Sequence, residues 1–206
     1  SLDLAKNKTT KHLDIAIGTG RRAIRIRELS ELNYEIVGVE ISKEMCKIAN
    51  SRGLRTYHQD WANNDSHTGE MFDSATFLYA FGHIADKKNR VKSLKKINSY
   101  LKEGSPFYID LFSLNNNNEW GPLTLKAFQE NNLGKHGYKK GDVFYKKRGF
   151  SELAFLHYFE FNEIKSLFAD TGFRIEWVKY IGYSKNPGQI VESEREGNFL
   201  IKAIKI

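Results

Sequence analysis

The sequence predicts an α/β fold: one mostly parallel sheet with helices on both faces. Three observations carry the prediction. Strand-like and helix-like segments alternate over residues 12–112, and strands joined by helical crossovers run parallel. The strand segments are short, near-continuous apolar runs, as strands covered on both faces require. The last two segments, near the end of the chain, read instead as an antiparallel pair.

The elements follow in order. Residues 12–17 form a short buried strand that runs into glycines. A helix begins at about Arg21, with Ala23, Ile24, Ile26 and Leu29 as its buried stripe. Residues 34–39 are apolar and β-branched, the second strand. Ser42 is the N-cap of a helix through Asn50, with Met45 and Ile48 turned inward. Residues 54–57 and 72–78 are the third and fourth strands. A long helix spans about 86–101, with Val91, Leu94, Ile97 and Leu101 at helical spacing and Gly104 as its stop. Residues 106–112 are the fifth strand. The pattern then breaks: 113–150 read as polar and irregular, with residues 143–147 and 153–159 able to pair as a hairpin. A helix over about 162–170 precedes Thr171-Gly172-Phe173, and strands at 174–181 and 199–206 follow. One domain over 1–206, with an insertion at about 113–156 covering the substrate site, is the economical reading.

Composition narrows the function classes. The 206 residues are 40% hydrophobic and 28% charged, which suits a packed domain and excludes collagen-like, coiled-coil and disordered classes. No apolar run reaches the roughly 18 residues that cross a bilayer, and residues 1–6 hold no apolar signal core. One cysteine, Cys46, leaves no disulfide framework or multi-cysteine zinc site. A cytoplasmic protein with no membrane partner is expected. The net charge of +7 is concentrated: Lys135, Lys139, Lys140, Lys146, Lys147 and Arg148 face one acid, Asp142, within 135–148.

Gly18-Thr19-Gly20 joins the first strand to its helix. Glycines there allow a tight turn and close approach of a ligand to the main chain, and the helix N-terminus offers free N–H groups. Glu40 ends the second strand, placed to accept both ribose hydroxyls of a nucleoside. Gly18-x-Gly20-x-x-Ala23 also fits a dinucleotide fingerprint, so NAD stays open. Asp14 argues the other way. A carboxylate inside the strand beside the loop opposes a pyrophosphate and suits a cationic ligand such as S-adenosylmethionine (SAM). It can also simply cap nearby backbone N–H groups.

Segment His12 to Gly20 (HLDIAIGTG) resembles motif I of the class I SAM-dependent methyltransferases, of the methyltransferase domain type 11/25 kind. Val37 to Met45 resembles the segment that follows it, and His58-Gln59-Asp60-Trp61-Ala62 the acidic turn that faces adenine. Phe72 to Ile84 resembles motif IV, Leu101 to Asp110 the turn into strand five, and Thr171-Gly172-Phe173 the turn before strand six. The resemblance covers about 12–112 and 157–206. It implies a three-layer Rossmann-like fold whose seven-stranded sheet is mostly parallel with an antiparallel last strand. It implies SAM as methyl donor and S-adenosylhomocysteine as product. By the same resemblance, Asp14 and the loop Ala16, Gly18, Thr19 and Gly20 hold the amino-acid part of SAM. Glu40 takes the ribose, Ile41 and Met45 pack near adenine, Asp60 meets its amino group beside Trp61, and Leu78 and Tyr79 line the methionine side. There are two departures. Ala16 stands where the family has a first glycine; its methyl narrows the cavity and is accommodated if φ is negative. The family also carries N-terminal helices before motif I, where here about a dozen residues precede it.

No Asn/Asp-Pro-Pro-aromatic run follows strand four, which disfavours methylation of exocyclic base amines. Cys46 lies away from the strand ends, so a cysteine nucleophile is disfavoured, and no His/Asp/Glu cluster has metal-ligand spacing. The catalytic residue is not identified by sequence. His83, at the mouth of the site, is the one candidate, and it can equally be a turn element. Tyr79, His83, Tyr145 and His157 are substrate candidates. Tyr138, Phe144 and Tyr145 interleave with lysines, a pattern that can stack bases and hold phosphates, line an apolar pocket, or simply be a solvated hairpin. The leading reading is methyl transfer to an O or N acceptor on a small molecule or modified nucleotide. RNA, for example tRNA, methylation through 135–148 is the first alternative. Non-catalytic SAM binding is the second, and NAD-dependent oxidoreduction ranks last.

Overall fold

A computed structural model describes residues 9–64, 69–146, 149 and 151–206. Its central sheet has the order β3-β2-β1-β4-β5-β10-β8-β9. The strands are β1 (Lys11–Ile15), β2 (Glu35–Glu40), β3 (Arg55–His58), β4 (Ser74–Phe77), β5 (Pro106–Leu111), β8 (Phe173–Ile181), β9 (Ile190–Val191) and β10 (Asn198–Lys205). The first five are parallel to one another. β10 is antiparallel to both β5 and β8. The predicted sheet of seven with an antiparallel last strand is therefore present, and β9 adds a two-residue eighth at the edge of β8.

Helices α1 (Arg21–Ser30) and α2 (Lys43–Ser51) cover one face, where Ala23 and Ala49 meet Tyr34, Ile36 and Leu54. Helices α3 (Lys87–Tyr100) and α5 (Phe161–Ala169) cover the other, with Leu94, Ile97, Leu167 and Phe168 over Phe77, Phe107 and Ile109. Strand order reverses between β1 and β4, so the crevice for a ligand opens at their carboxyl ends. Among the described residues no helix is long and apolar enough to cross a membrane.

Two inward faces differ from expectation. On α1 only Ala23 is fully buried; Ile24 and Ile26 pack partly against the core, and Leu29 is 61% exposed. On α2 the N-cap is Ser42 as expected, its hydroxyl accepting the Met45 amide. Yet Cys46 and Ala49 face inward, while Met45 and Ile48 are 43% and 41% exposed. The cause is close packing: a Cβ at Gly20 would lie 2.2 Å from Leu54 Cδ1 and 3.5 Å from Ala49 Cβ. Only small side chains fit between α2 and the glycine turn.

The insertion is more ordered than its composition suggests. It contains a helix the sequence reading missed, α4 (Gly121–Glu130), started by Pro122 in the first turn, where its missing N–H costs nothing. The expected hairpin is present as β6 (Asp142–Lys146) and β7 (Leu153–His157), antiparallel, with Tyr145 opposite Ala154. Leu114, Leu156 and Tyr158 form its own small core with Phe112, Leu125, Val143 and Tyr145.

A buried charge cluster pins the hairpin to the main body. His157 Nδ1 lies 2.7 Å from Asp142 and Nε2 lies 3.0 Å from Glu163 on α5. The buried Arg90 on α3 lies 3.8 Å from Glu163. Burial alone pushes the imidazole pKa down, but the two carboxylates outweigh it and hold it above 6.5. Burial pushes Asp142 up, and bonds from His157 and the Lys139 amide more than reverse this, holding it below 3.8. Stability from protonated His157 is therefore full below pH 6.5 and is lost as pH rises through its raised pKa. Stability from ionised Asp142 is present above pH 3.8 and is lost as pH falls through its lowered one. The urea midpoint is expected to fall as pH is raised from 6.5 to 9, and His157→Gln to flatten that dependence. An equal slope in the variant would assign it to other groups.

Candidate functional site

The turn between β1 and α1 is built from three left-handed residues, Ala16 (φ 57°), Gly18 (φ 60°) and Gly20 (φ 76°). The Gly20 amide closes it on the Ile17 carbonyl at 3.1 Å. Ala16 thus does not take the negative φ that would accommodate its methyl without strain. A Cβ added at Gly18 would meet only Met45 Sδ, at 4.0 Å, so a ligand can lie against the backbone there.

Glu40 sits beneath that opening, buried at the end of β2. Its Oε2 accepts the Gly18 amide and its Oε1 the Ser42 amide, each at 2.9 Å. With both oxygens fixed, their remaining lone pairs are pre-oriented acceptors. Asp14 is also buried. It accepts the Thr76 hydroxyl at 2.7 Å. Burial pushes it up to about 6, with Thr76 and Arg22 opposing and Glu40 adding to the rise.

A cleft of about 850 Å³ lies over these residues. Ala16, Gly18 and Glu40 form its floor, and Ile41 and Met45, both exposed, form one side. Asp60 lines the opposite side, its Oδ1 accepting the Ala62 and Asn63 amides at 3.0 and 3.2 Å. Trp61 touches the cleft but is largely core: it is buried, 5.5 Å from the Tyr100 ring, with its indole N–H 3.4 Å from the Ser93 carbonyl. Leu78 and Tyr79 complete the wall after β4. Asp14, Thr19 and Gly20 shape the turn from behind rather than lining the cleft; the Thr19 carbonyl accepts from Arg52.

Two residues that sequence reasoning assigned no role fix Tyr79. Its φ is 61°, a conformation non-glycine residues rarely adopt. Its amide donates to Asp110 Oδ1 at 2.6 Å, and burial pushes Asp110 up to about 6. Arg22 lies 4.2 Å from the Tyr79 ring and donates to the Leu78 carbonyl at 3.3 Å. Arg22 directly follows the glycine turn; nothing in its local sequence announces a partner 56 residues away.

A second cavity of about 280 Å³ adjoins the first. Tyr79 and His83 line both. Its other walls come from the end of β5 (Phe112), the insertion (Glu119, Trp120, Tyr145, Tyr158) and the loop after β8 (Tyr183). His83 Nδ1 lies 2.7 Å from the Phe155 carbonyl. A carbonyl only accepts, so Nδ1 carries the proton and Nε2 of the neutral ring is left as an acceptor. Tyr79, His83 and Tyr145 are thus brought together. His157 is not: both its nitrogens are engaged in the buried charge cluster, and it lines neither cavity.

Residues 13–104 match the methyltransferase domain family. The matched stretch runs from β1 to the turn after α3. Over 152 residues the chain is 29% identical to a glycine/sarcosine N-methyltransferase of Halorhodospira halochloris, covering 69% of this chain and 49% of that protein. The chain therefore spans about half the length of the curated relative it matches. In fold it is similar to a SAM-dependent methyltransferase of Methanosarcina mazei (TM-score 0.75, 19% identity, 100% of this chain and 98% of that one). It is also similar to a SAM-bound amino pentose methyltransferase of Micromonospora echinaspora (TM-score 0.62, 16% identity, 98% of this chain and 86% of that one).

The cleft fits SAM on its own chemistry. The group beneath Gly18 is the buried carboxylate of Glu40, with Asp14 buried behind the turn, a setting suited to hydroxyls rather than to a pyrophosphate. The open side at Gly18 is where a ligand would take the place of a Cβ, and the volume lies in the range of small-molecule sites. Ala16 is the residue that fits less well, and its cost is measurable. A left-handed alanine costs about 1 kcal/mol more than glycine, partly offset by glycine's larger loss of chain entropy. Ala16→Gly is expected to raise unfolding free energy by about 0.5 kcal/mol, read from denaturant titration; a destabilised variant would mean the methyl makes a needed contact.

Proposed function

We propose that this chain transfers a methyl group from SAM to an oxygen or nitrogen acceptor on a small molecule or modified nucleotide. The observation that carries this reading is the pair of adjoining cavities with Tyr79 and His83 as their common wall. One suits a nucleoside with a charged tail; the other has room for only a small acceptor group. When bound, SAM supplies a methyl group on a positively charged sulfur, a good leaving group. The relative from Halorhodospira is named for N-methylation of glycine and sarcosine, which favours a small acceptor and nitrogen as the accepting atom.

In this reading Glu40 holds the ribose hydroxyls, and Ile41 and Met45 flank adenine with Asp60 across from them. Asp14 and the turn 16–20 favour the positive end of SAM. Leu78 and Tyr79 bound the methionine side. The insertion, at about 113–156 within a single domain, closes the acceptor cavity and excludes water. His83 Nε2 takes the proton released by an O–H or N–H acceptor. The RNA reading has less support. Lys140 is paired with Glu160 at 2.6 Å, and Phe144, though about half exposed, is braced edge-on by Tyr138 and Phe155. Lys147 and Arg148 lie outside the described residues.

Calorimetric titration tests the cofactor assignment. Micromolar SAM binding, absent for NAD and lost in Glu40→Ala, is expected; binding of NAD in place of SAM would overturn the reading, and SAM binding without turnover on any acceptor pool would make the chain a non-catalytic SAM binder. For the acceptor found by screening, His83→Gln is expected to lower kcat by about 100-fold or more, with KM for SAM little changed. An unchanged kcat would leave His83 as a turn element.

A further inference from the structure

The acceptor cavity has an unusual chemical character. Its walls are five rings in addition to Tyr79: Phe112, Trp120, Tyr145, Tyr158 and Tyr183. They brace one another edge-on. Phe112 lies 5.1 Å from Tyr183 at 76° and 5.5 Å from Tyr158 at 60°, and Trp120 lies 5.6 Å from Tyr145 at 69°. The one acidic side chain on the wall is Glu119, held by the Ser184 amide at 2.9 Å. Among the described residues no lysine or arginine lines the cavity. Arg22 lies against Tyr79 and lines the cofactor cleft, not this cavity. Tyr158 stays a neutral phenol: burial pushes it up to about 12, against the hydrogen bond from the Trp120 amide.

A chain with net charge +7 thus places no lysine or arginine on the described wall of this cavity. An anionic acceptor would find no partner there. A neutral apolar one would leave Glu119 facing it without return. A cation is attracted by the electron-rich ring faces and by the carboxylate together, and rings that exclude water strengthen both.

We propose that the cavity bounded by Phe112, Trp120, Tyr145, Tyr158, Tyr183 and Glu119 binds an organic ammonium group, so that the acceptor molecule is an organic cation. This rests on the reading of the adjoining cleft as the SAM site. The ammonium is the recognition handle; the atom that receives the methyl group lies toward Tyr79 and His83.

The test uses the full chain and two probes of nearly equal shape, choline and its uncharged carbon isostere 3,3-dimethyl-1-butanol, titrated calorimetrically at constant ionic strength. Choline is expected to bind at least about tenfold more tightly than the isostere. Trp120→Leu, which keeps bulk and removes the ring, and Glu119→Gln, which removes the charge, are each expected to weaken choline several-fold. Tyr145→Leu serves if Trp120→Leu does not fold. SAM titrated into the same proteins reports separately on the cleft: choline selectivity without SAM binding would sink the cofactor reading and keep the cation site. SAM binding with no choline binding, with equal affinity for the isostere, or with choline affinity unchanged in the variants, would overturn the cation site alone.

Discussion

The arrangement of the site depends on one carboxylate. Glu40 accepts one amide from the turn after β1 and another from the turn after β2, each at 2.9 Å. The first of these turns is one side of the crevice that the reversal of strand order opens between β1 and β4, and the second supplies the adjoining wall at Ile41. Without Glu40, two partly buried N–H groups would lose a charged partner, a bond worth at most about 1.5–3 kcal/mol each. The left-handed turn through Ala16, Gly18 and Gly20 would lose the contact that holds it against β2. The same side chain therefore sets the width of the cleft and leaves acceptors aimed into it.

The second cavity depends on a different kind of constraint. Its walls come from several separate stretches of chain, and the hairpin that supplies Tyr145 must stay seated on the body of the domain. Apolar packing of Leu114, Leu156 and Tyr158 does part of this. Orientation comes from the Asp142–His157–Glu163 chain of hydrogen bonds, which links both hairpin strands to α5. Breaking such a buried cluster on one side is costly because it strands the remaining charges. Tyr79, where the cavities meet, is held in its strained backbone conformation by Asp110 and braced by Arg22.

Much of this was legible in the sequence, and the failures have physical causes. The alternation of elements gave the parallel sheet, because burial on both faces leaves a direct mark on composition. Gly18, Gly20 and Glu40 were readable because backbone conformation and ribose chemistry each restrict the residue type. The inward face of α2 was misread because hydrophobicity favours Met45 and Ile48, whereas the space beside Gly20 admits only Cys46 and Ala49. Helix α4 was missed because Gly121-Pro122 reads as a breaker when it is a helix start. Gly121 is required there for another reason: a Cβ would lie 2.4 Å from the Leu114 carbonyl. His157 looked like a site residue because its partners, Asp142 and Glu163, are joined to it only by folding. Arg22 and Asp110 were silent for the same reason.

The position of β10 bears on how the molecule comes together. Although it is the last strand along the sequence, it is an interior one, hydrogen-bonded to β5 on one side and β8 on the other. Residues 106–111 and 173–181 have no ladder with each other; each is completed only when 198–205 slides between them. Assembly of this half of the sheet cannot proceed outward from the N-terminal strands as they are synthesised. It waits for the final strand, and closing that long loop is the slow, entropically costly step. Until then the edge of β5 is an unpaired template for a foreign strand.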